Sequence, residues 1–139
     1  MPKKLKLMVV DDETNNLDLL YRTFRRQFQV FRADSAAQAL EILDKEGEMA
    51  AIISDQSMPE MTGIELFCQT YSSFPNTIRI LLTGYSQDQI EEEEDRIKEA
   101  NIFKCITKPF SPKDLQAVVE ESVLLYGNNK STNSDPPED

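Results

Sequence analysis

The chain has 139 residues, 40% hydrophobic composition and a formal net charge of -10. A chain of this length buries roughly two thirds of its unfolded surface, enough for one core and too little for two. The charge argues against nucleic acid or an anionic membrane as a direct partner and favours partners with basic patches.

Taken in chain order, short apolar runs alternate with segments of helical spacing. Lys6 to Val10 reads as a strand ending on Asp11-Asp12. Leu17, Leu20, Tyr21 and Phe24 then recur at helical spacing, with Thr14 or Asn15 suited to the N-cap. Gln29 to Ala33 reads as a second strand. Ser35 suits the cap of a helix carrying Ala36, Ala39, Leu40 and Leu43, and Gly47 follows it. Ala51 to Asp55 is the third strand, and Ile64, Phe67, Cys68 and Tyr71 mark a third helix stopped by Pro75. After a fourth strand, Ile78 to Thr83, the segment Gln87 to Glu99 has only Ile90 and Ile97 as apolar residues. Glu91 to Asp95 is an acidic run that repels itself, so a marginal, mobile helix is expected, its run either a solvated face or a docking surface for a basic partner. Phe103 to Thr107 is the fifth strand. Ser111-Pro112 opens a last helix with Leu115, Val118, Val119 and Val123. Beyond Tyr126 no large apolar residue remains, so residues 1–126 read as one domain and residues 127–139 as a disordered tail or linker.

No apolar run approaches the roughly 18 residues of a membrane-spanning helix and nothing near Met1 resembles a secretory signal, so a cytoplasmic protein is expected. Cys68 and Cys105 have no C-x-x-C or histidine neighbour and read as small core residues in a reducing compartment.

Five strand-helix units imply a doubly wound parallel sheet, α/β in class. In such a sheet the carboxyl ends of the strands converge on one crevice. Here those ends carry Asp11-Asp12, Asp55, Thr83 and Lys108. An acid pair, a carboxylate, a hydroxyl and an ammonium meeting at one place suit phosphoryl chemistry on Asp55. The chain has no histidine, which removes Ser-His and Cys-His nucleophile pairs and histidine-ligated zinc. Oxygen ligands remain, and with them a hard cation such as magnesium.

Four segments together resemble the receiver domain of two-component response regulators: Val9-Val10-Asp11-Asp12-Glu13, Asp55 to Gly63, Leu81-Leu82-Thr83-Gly84 and Thr107-Lys108-Pro109-Phe110. Each is weak alone, but they occur in order, at strand ends, over about residues 5 to 126. The resemblance implies a flavodoxin-like sheet of order 2-1-3-4-5 with helices on both faces. It implies Asp55 as phosphoacceptor, a magnesium ion (manganese substituting) held by Asp11, Asp12, Asp55 and the Ser57 backbone carbonyl, and Lys108 and Thr83 as partners of the phosphoryl oxygens. It also implies a cis Lys108-Pro109 bond. The implied partners are a histidine kinase or histidine phosphotransfer protein, and a downstream effector or fused output domain. The face formed by the fourth helix, fifth strand and fifth helix would carry the output, including a homodimer.

Two departures from the family pattern bear on mechanism. Cys105 stands three residues before Lys108, where many receivers carry a Tyr or Phe that rotates on phosphorylation, so Tyr85 becomes the candidate moving residue. Ser57, two residues beyond Asp55, is no acid or base at neutral pH, which suits a persistent acyl phosphate. It also weighs against a haloacid-dehalogenase-like phosphatase, whose pattern needs a second Asp there. A pseudo-receiver acting without phosphorylation is the other alternative, opposed by the full set of site residues. The stretch Asn101 to Phe110 looks most like receivers fused to cyclic-nucleotide enzymes or HD-type phosphodiesterases.

Overall fold

The structure, a computed structural model, describes residues 4–134. It forms a five-stranded parallel sheet in the order β2-β1-β3-β4-β5. The strands are β1 (Leu5–Val10), β2 (Phe28–Ala33), β3 (Ala51–Asp55), β4 (Ile78–Thr83) and β5 (Ile102–Thr107). Each lies within one residue of its sequence-predicted bounds. Strands covered on both faces are mainly apolar, and β3 and β4 are buried at every position, including the polar Ser54, Asp55, Arg79 and Thr83.

The helices are α1 (Thr14–Phe24), α2 (Ala36–Glu46), α3 (Gly63–Tyr71), α4 (Gln87–Glu92), α5 (Glu94–Glu99) and α6 (Pro112–Ser134). Side chains of alternating strand positions divide between two cores. Met8, Val10, Ile52 and Leu81 pack with Ala39, Leu43, Ile64 and Phe67 from α2 and α3. Leu7, Val9, Ile53, Ile80 and Leu82 pack on the other face with Leu17, Leu20 and Phe24 of α1 and Leu115 and Val119 of α6.

Three expectations need correction. The first helix starts at Thr14, so its cap position is Glu13, which supplies no side-chain cap; neither Thr14 nor Asn15 holds that place. The Glu13 N–H instead donates to Asp11 Oδ1 at 2.9 Å. The expected single helix over Gln87 to Glu99 is two short helices broken at Glu93, whose φ of -96° and ψ of 10° leave the helical region. A capping box of Ser86 and Gln89 starts α4, and the pairs Arg96 with Glu93 (3.9 Å) and Lys98 with Glu94 (4.0 Å) offset part of the acidic self-repulsion.

The third correction concerns the tail. Helix α6 continues through residues 127–134, and only residues 135–139 of the expected tail lie outside the described residues. Polar contacts distant in sequence hold the extension down. Tyr126 donates its hydroxyl to Glu48 Oε1 at 2.7 Å, Lys130 Nζ pairs with the same oxygen at 3.1 Å, and Asn129 Nδ2 reaches the Asn76 carbonyl at 3.5 Å.

Arg79 in β4 is fully buried without a carboxylate partner among the described residues. Its guanidinium donates to the carbonyls of Thr77 and Phe74, both at 2.8 Å, and to Thr70 Oγ1 at 3.3 Å. Burial lowers its pKa from 12.5 to about 10, which leaves it charged at neutral pH. It ties the end of α3 and the following turn to the sheet, with its charge on the favourable side of the helix dipole.

The other end of α3 is fixed by close approach. A Cβ at Gly63 would lie 2.6 Å from the Asp55 carbonyl oxygen and 2.7 Å from Leu81 Cδ1, so only glycine lets the helix start against the end of β3. Gly63→Ala is expected to destabilise the fold by about 1–3 kcal/mol through overpacking. Urea unfolding measures this, and a midpoint equal to wild type would show that β3 and α3 are free to part.

Candidate functional site: the carboxyl edge of the sheet

Register explains why distant residues meet. Val10 pairs with Ser54, Asp55 with Leu82, and Thr83 with Thr107. Asp11 and Lys108 each follow directly on these strand ends. Asp11, Asp12 and Asp55 accordingly place one carboxylate oxygen each within 4.8 Å of one another. Lys108 Nζ forms an ion pair with Asp55 Oδ1, and the Lys108-Pro109 peptide is cis, as the resemblance implied.

The remaining polar groups are arranged around these four. Asp11, buried, accepts from the Glu13 N–H and from Asn16 Nδ2 at 3.2 Å. Thr83, also buried, accepts the Lys108 N–H on its carbonyl at 2.8 Å and the Tyr85 N–H on its hydroxyl at 3.0 Å. Ser57 lies exposed in the loop after β3. Cys105 is half-buried in β5 opposite Leu81, and burial pushes its thiol pKa up.

Burial raises the Asp55 pKa above its ordinary value; the hydrogen bond and charge of Lys108 work in the other direction without cancelling it. Burial likewise raises Asp11, with the Asp55 charge adding to it and the Glu13 N–H opposing. Lys108 is desolvated too, but its hydrogen bond to Asp55 and the surrounding acids hold its pKa above the usual lysine value. Three carboxylates facing one ammonium leave a negative excess in a crevice of hard oxygen donors. A divalent oxygen-seeking cation fits that donor set.

Three residues without an assigned role in the sequence reading take part. Asn16 supports Asp11 from the first turn of α1. Gln56, buried beside Asp55, accepts the Ile64 N–H on Oε1 at 2.9 Å and donates from Nε2 to the Tyr85 hydroxyl at 3.1 Å. Gly63 sets the seat of α3, and its place was legible from the capping box Thr62-x-x-Glu65 around it. Neither Asn16 nor Gln56 carries a pattern of its own, since a polar residue beside a strand end gains meaning only from its partners.

Comparison with known proteins identifies the family. A family model described as response regulator receiver domain matches residues 7–120. The chain belongs to the receiver domain family. Among its relatives, the hydrogenase transcriptional regulatory protein HoxA of Bradyrhizobium diazoefficiens is 35% identical over 127 residues, 91% of this chain and 25% of that protein. This chain therefore spans about a quarter of HoxA. Sporulation initiation phosphotransferase F of Bacillus subtilis is 30% identical over 125 residues, 88% of this chain and 97% of that one. In fold, the receiver superposes on a structure titled adenylate cyclase from Rhodopirellula baltica with a TM-score of 0.86, at 24% identity, covering 94% of this chain and 96% of that chain. Receiver domains are signalling domains that bind magnesium at an acidic cluster and work with kinases and output domains. Among the described residues, no helix is long and apolar enough to cross a membrane.

The raised carboxylate pKa values make a prediction about stability. A buried carboxylate with a raised folded pKa favours the folded state when protonated; that stability is fully present below its unfolded value of 3.8 and is lost as pH rises through the folded value. In metal-free protein at pH 7, Asp11→Asn is expected to raise the melting temperature by a few degrees, with the gain shrinking as pH falls toward 3.8. Thermal melts in chelator at several pH values check this; a variant no more stable than wild type at pH 7 would mean that the Asp11 charge is not strained.

Proposed function

We propose that Asp55 is the phosphoacceptor of this receiver. The observation that carries the proposal is a buried strand-end carboxylate with Lys108 Nζ on one oxygen and two further carboxylates within 4.8 Å. The Asp55 oxygen attacks the phosphorus of a phosphohistidine on a histidine kinase or phosphotransfer protein. The phosphorus–nitrogen bond breaks, an acyl phosphate forms, and the imidazole leaves with its electron pair and takes a proton.

Asp11, Asp12, Asp55 and the Ser57 carbonyl would hold magnesium, with manganese able to substitute. When bound, the cation supplies the positive charge that a carboxylate and an incoming phosphoryl dianion need in order to approach. Lys108, freed from its pair with Asp55, balances charge on one phosphoryl oxygen. Thr83 uses its hydroxyl proton for a second oxygen while its carbonyl keeps the Lys108 backbone in place. Ser57 offers no acid or base to activate water, so the acyl phosphate persists and the domain acts as a switch with no turnover of its own.

The surroundings support the partner readings. A concavity of about 400 Å³ beside the site exposes Leu19, Pro109 and Phe110 next to Lys108 and suits a docking phosphodonor. On the flank formed by α4, α5 and β5, a groove of about 300 Å³ brings Ile90, Ile97, Phe103 and Cys105 together, with Glu91, Glu94, Lys98 and Lys104 also lining it. That flank, with α6, is the output face for an effector, a fused domain or a second receiver, and the acidic run Glu91 to Asp95 on it favours a basic partner. A cytoplasmic setting follows from the kinase partnership.

Incubation with acetyl phosphate and magnesium is expected to add one phosphoryl group, seen by intact mass. Asp55→Asn should abolish the gain, and Lys108→Ala should slow it about 10²-fold. Labelling that survives in Asp55→Asn would overturn the assignment, and absence of labelling in wild type would favour an interaction module that works without phosphorylation.

A further inference from the structure

A chain of hydrogen bonds runs from the site to the loop after β4 by way of a residue with no assigned part in the chemistry. Gln56 is its fixed post. The backbone N–H of Gln56 donates to Leu82 at 2.8 Å, its carbonyl accepts from Gly63 at 3.2 Å, and its Oε1 accepts from Ile64, so β4 and the start of α3 hold it in place. Glycine packing of α3 against Asp55 stiffens the same frame.

Its free amide hydrogen reaches outward. Gln56 Nε2 donates to the Tyr85 hydroxyl, the only hydrogen bond of that phenol among the described residues. Tyr85 sits in the loop Gly84-Tyr85-Ser86, whose other two members are exposed and where a side chain at residue 84 would meet nothing within 4 Å. The loop thus has two polar tethers at Tyr85: the phenol on Gln56, and the Tyr85 N–H on the Thr83 hydroxyl oxygen. One tether ends on the rigid frame, the other on the group that engages the phosphoryl oxygen.

We infer that Gln56 is a positioning residue which, through the Tyr85 hydroxyl, holds the Gly84–Ser86 loop in its unphosphorylated arrangement and so sets how readily Thr83 engages a phosphoryl group. This rests on the assignment of Asp55 as acceptor. When the Thr83 hydroxyl turns to the phosphoryl group, its oxygen moves and the Tyr85 N–H follows it. The phenol, two peptide bonds from Thr83, is drawn off Gln56. The Gln56–Tyr85 bond therefore belongs to the resting state and opposes the switch. It does so by the factor one neutral hydrogen bond contributes to an equilibrium, about 5.

The test uses beryllofluoride, a stable phosphoryl mimic, titrated into the full chain with millimolar magnesium. Tyr85→Phe and Gln56→Met are each expected to tighten its binding about fivefold, with no further gain in the double variant, because both delete the same bond. In fluorotyrosine-labelled wild type, the resonance absent from Tyr85→Phe should shift when beryllofluoride binds. A purely structural role would weaken binding. Tyr85→Phe leaves the Ile64 and Gly63 bonds untouched, so it decides the matter alone if Gln56→Met fails to fold. Unchanged or weaker binding in Tyr85→Phe, additive gains of about 25-fold in the double variant, or an unmoved resonance would each overturn the inference. If wild type is phosphorylated on Asp55 while the variants bind as wild type does, the inference alone fails. If wild type is not phosphorylated, the assignment of Asp55 fails first and takes the inference with it.

Discussion

Carboxylates buried at the open edge of a parallel sheet cost folding free energy, and the rest of this site is arranged around that cost. Asp11 and Asp55 are almost fully enclosed and held above the ordinary carboxylate range by burial. Lys108 answers Asp55, while the Glu13 N–H and Asn16 answer Asp11. Asp12, exposed at the mouth, adds a third charge with no second lysine beside it. A crevice in which three carboxylates face one ammonium suits a divalent cation.

Such strain persists only on a frame that cannot relax. The frame here is built from buried strands whose register puts four functional positions side by side, and from α3 clamped at both ends. Gly63 and the Thr62–Glu65 capping box hold its start, and Arg79 holds its finish through two carbonyls and Thr70. The clamp matters because Asp55 ends β3 and Gln56 and Ser57 lie between it and α3. A looser helix would let the carboxylates drift apart and discharge the strain by separation.

How much of this the sequence discloses depends on the range of the forces involved. The strands were legible because a sheet covered on both faces demands unbroken apolar runs, and the site was legible because strand-end residues must converge once the topology is accepted. Helix α6 beyond Tyr126 was not, since Gly127 to Ser134 is polar and its anchors, Glu48 and Asn76, lie 78 and 53 residues away from the residues they hold. The break at Glu93 was hidden within a run whose charge pattern says only that a helix there is weak. Arg79 and Gln56 gave no signal because a buried polar residue differs from an exposed one only in its partners.

The position of Cys105 explains why the path to the surface runs where it does. A small thiol, half-buried opposite Leu81, has no ring to sweep between core and solvent, so β5 offers no large lever beside Thr83. The Thr83 hydroxyl is bonded instead to Tyr85, whose phenol rests on Gln56, the residue next to Asp55. On the proposed switch, a displacement of the Thr83 hydroxyl reaches the β4–α4 loop first and α4 after it. That helix is short, capped by Ser86 at the loop itself and separated from α5 by the break at Glu93. Like α5, it has no buried residue. On the proposed switch a small movement at Ser86 reorients α4 without disturbing the sheet, beside the acidic run Glu91 to Asp95.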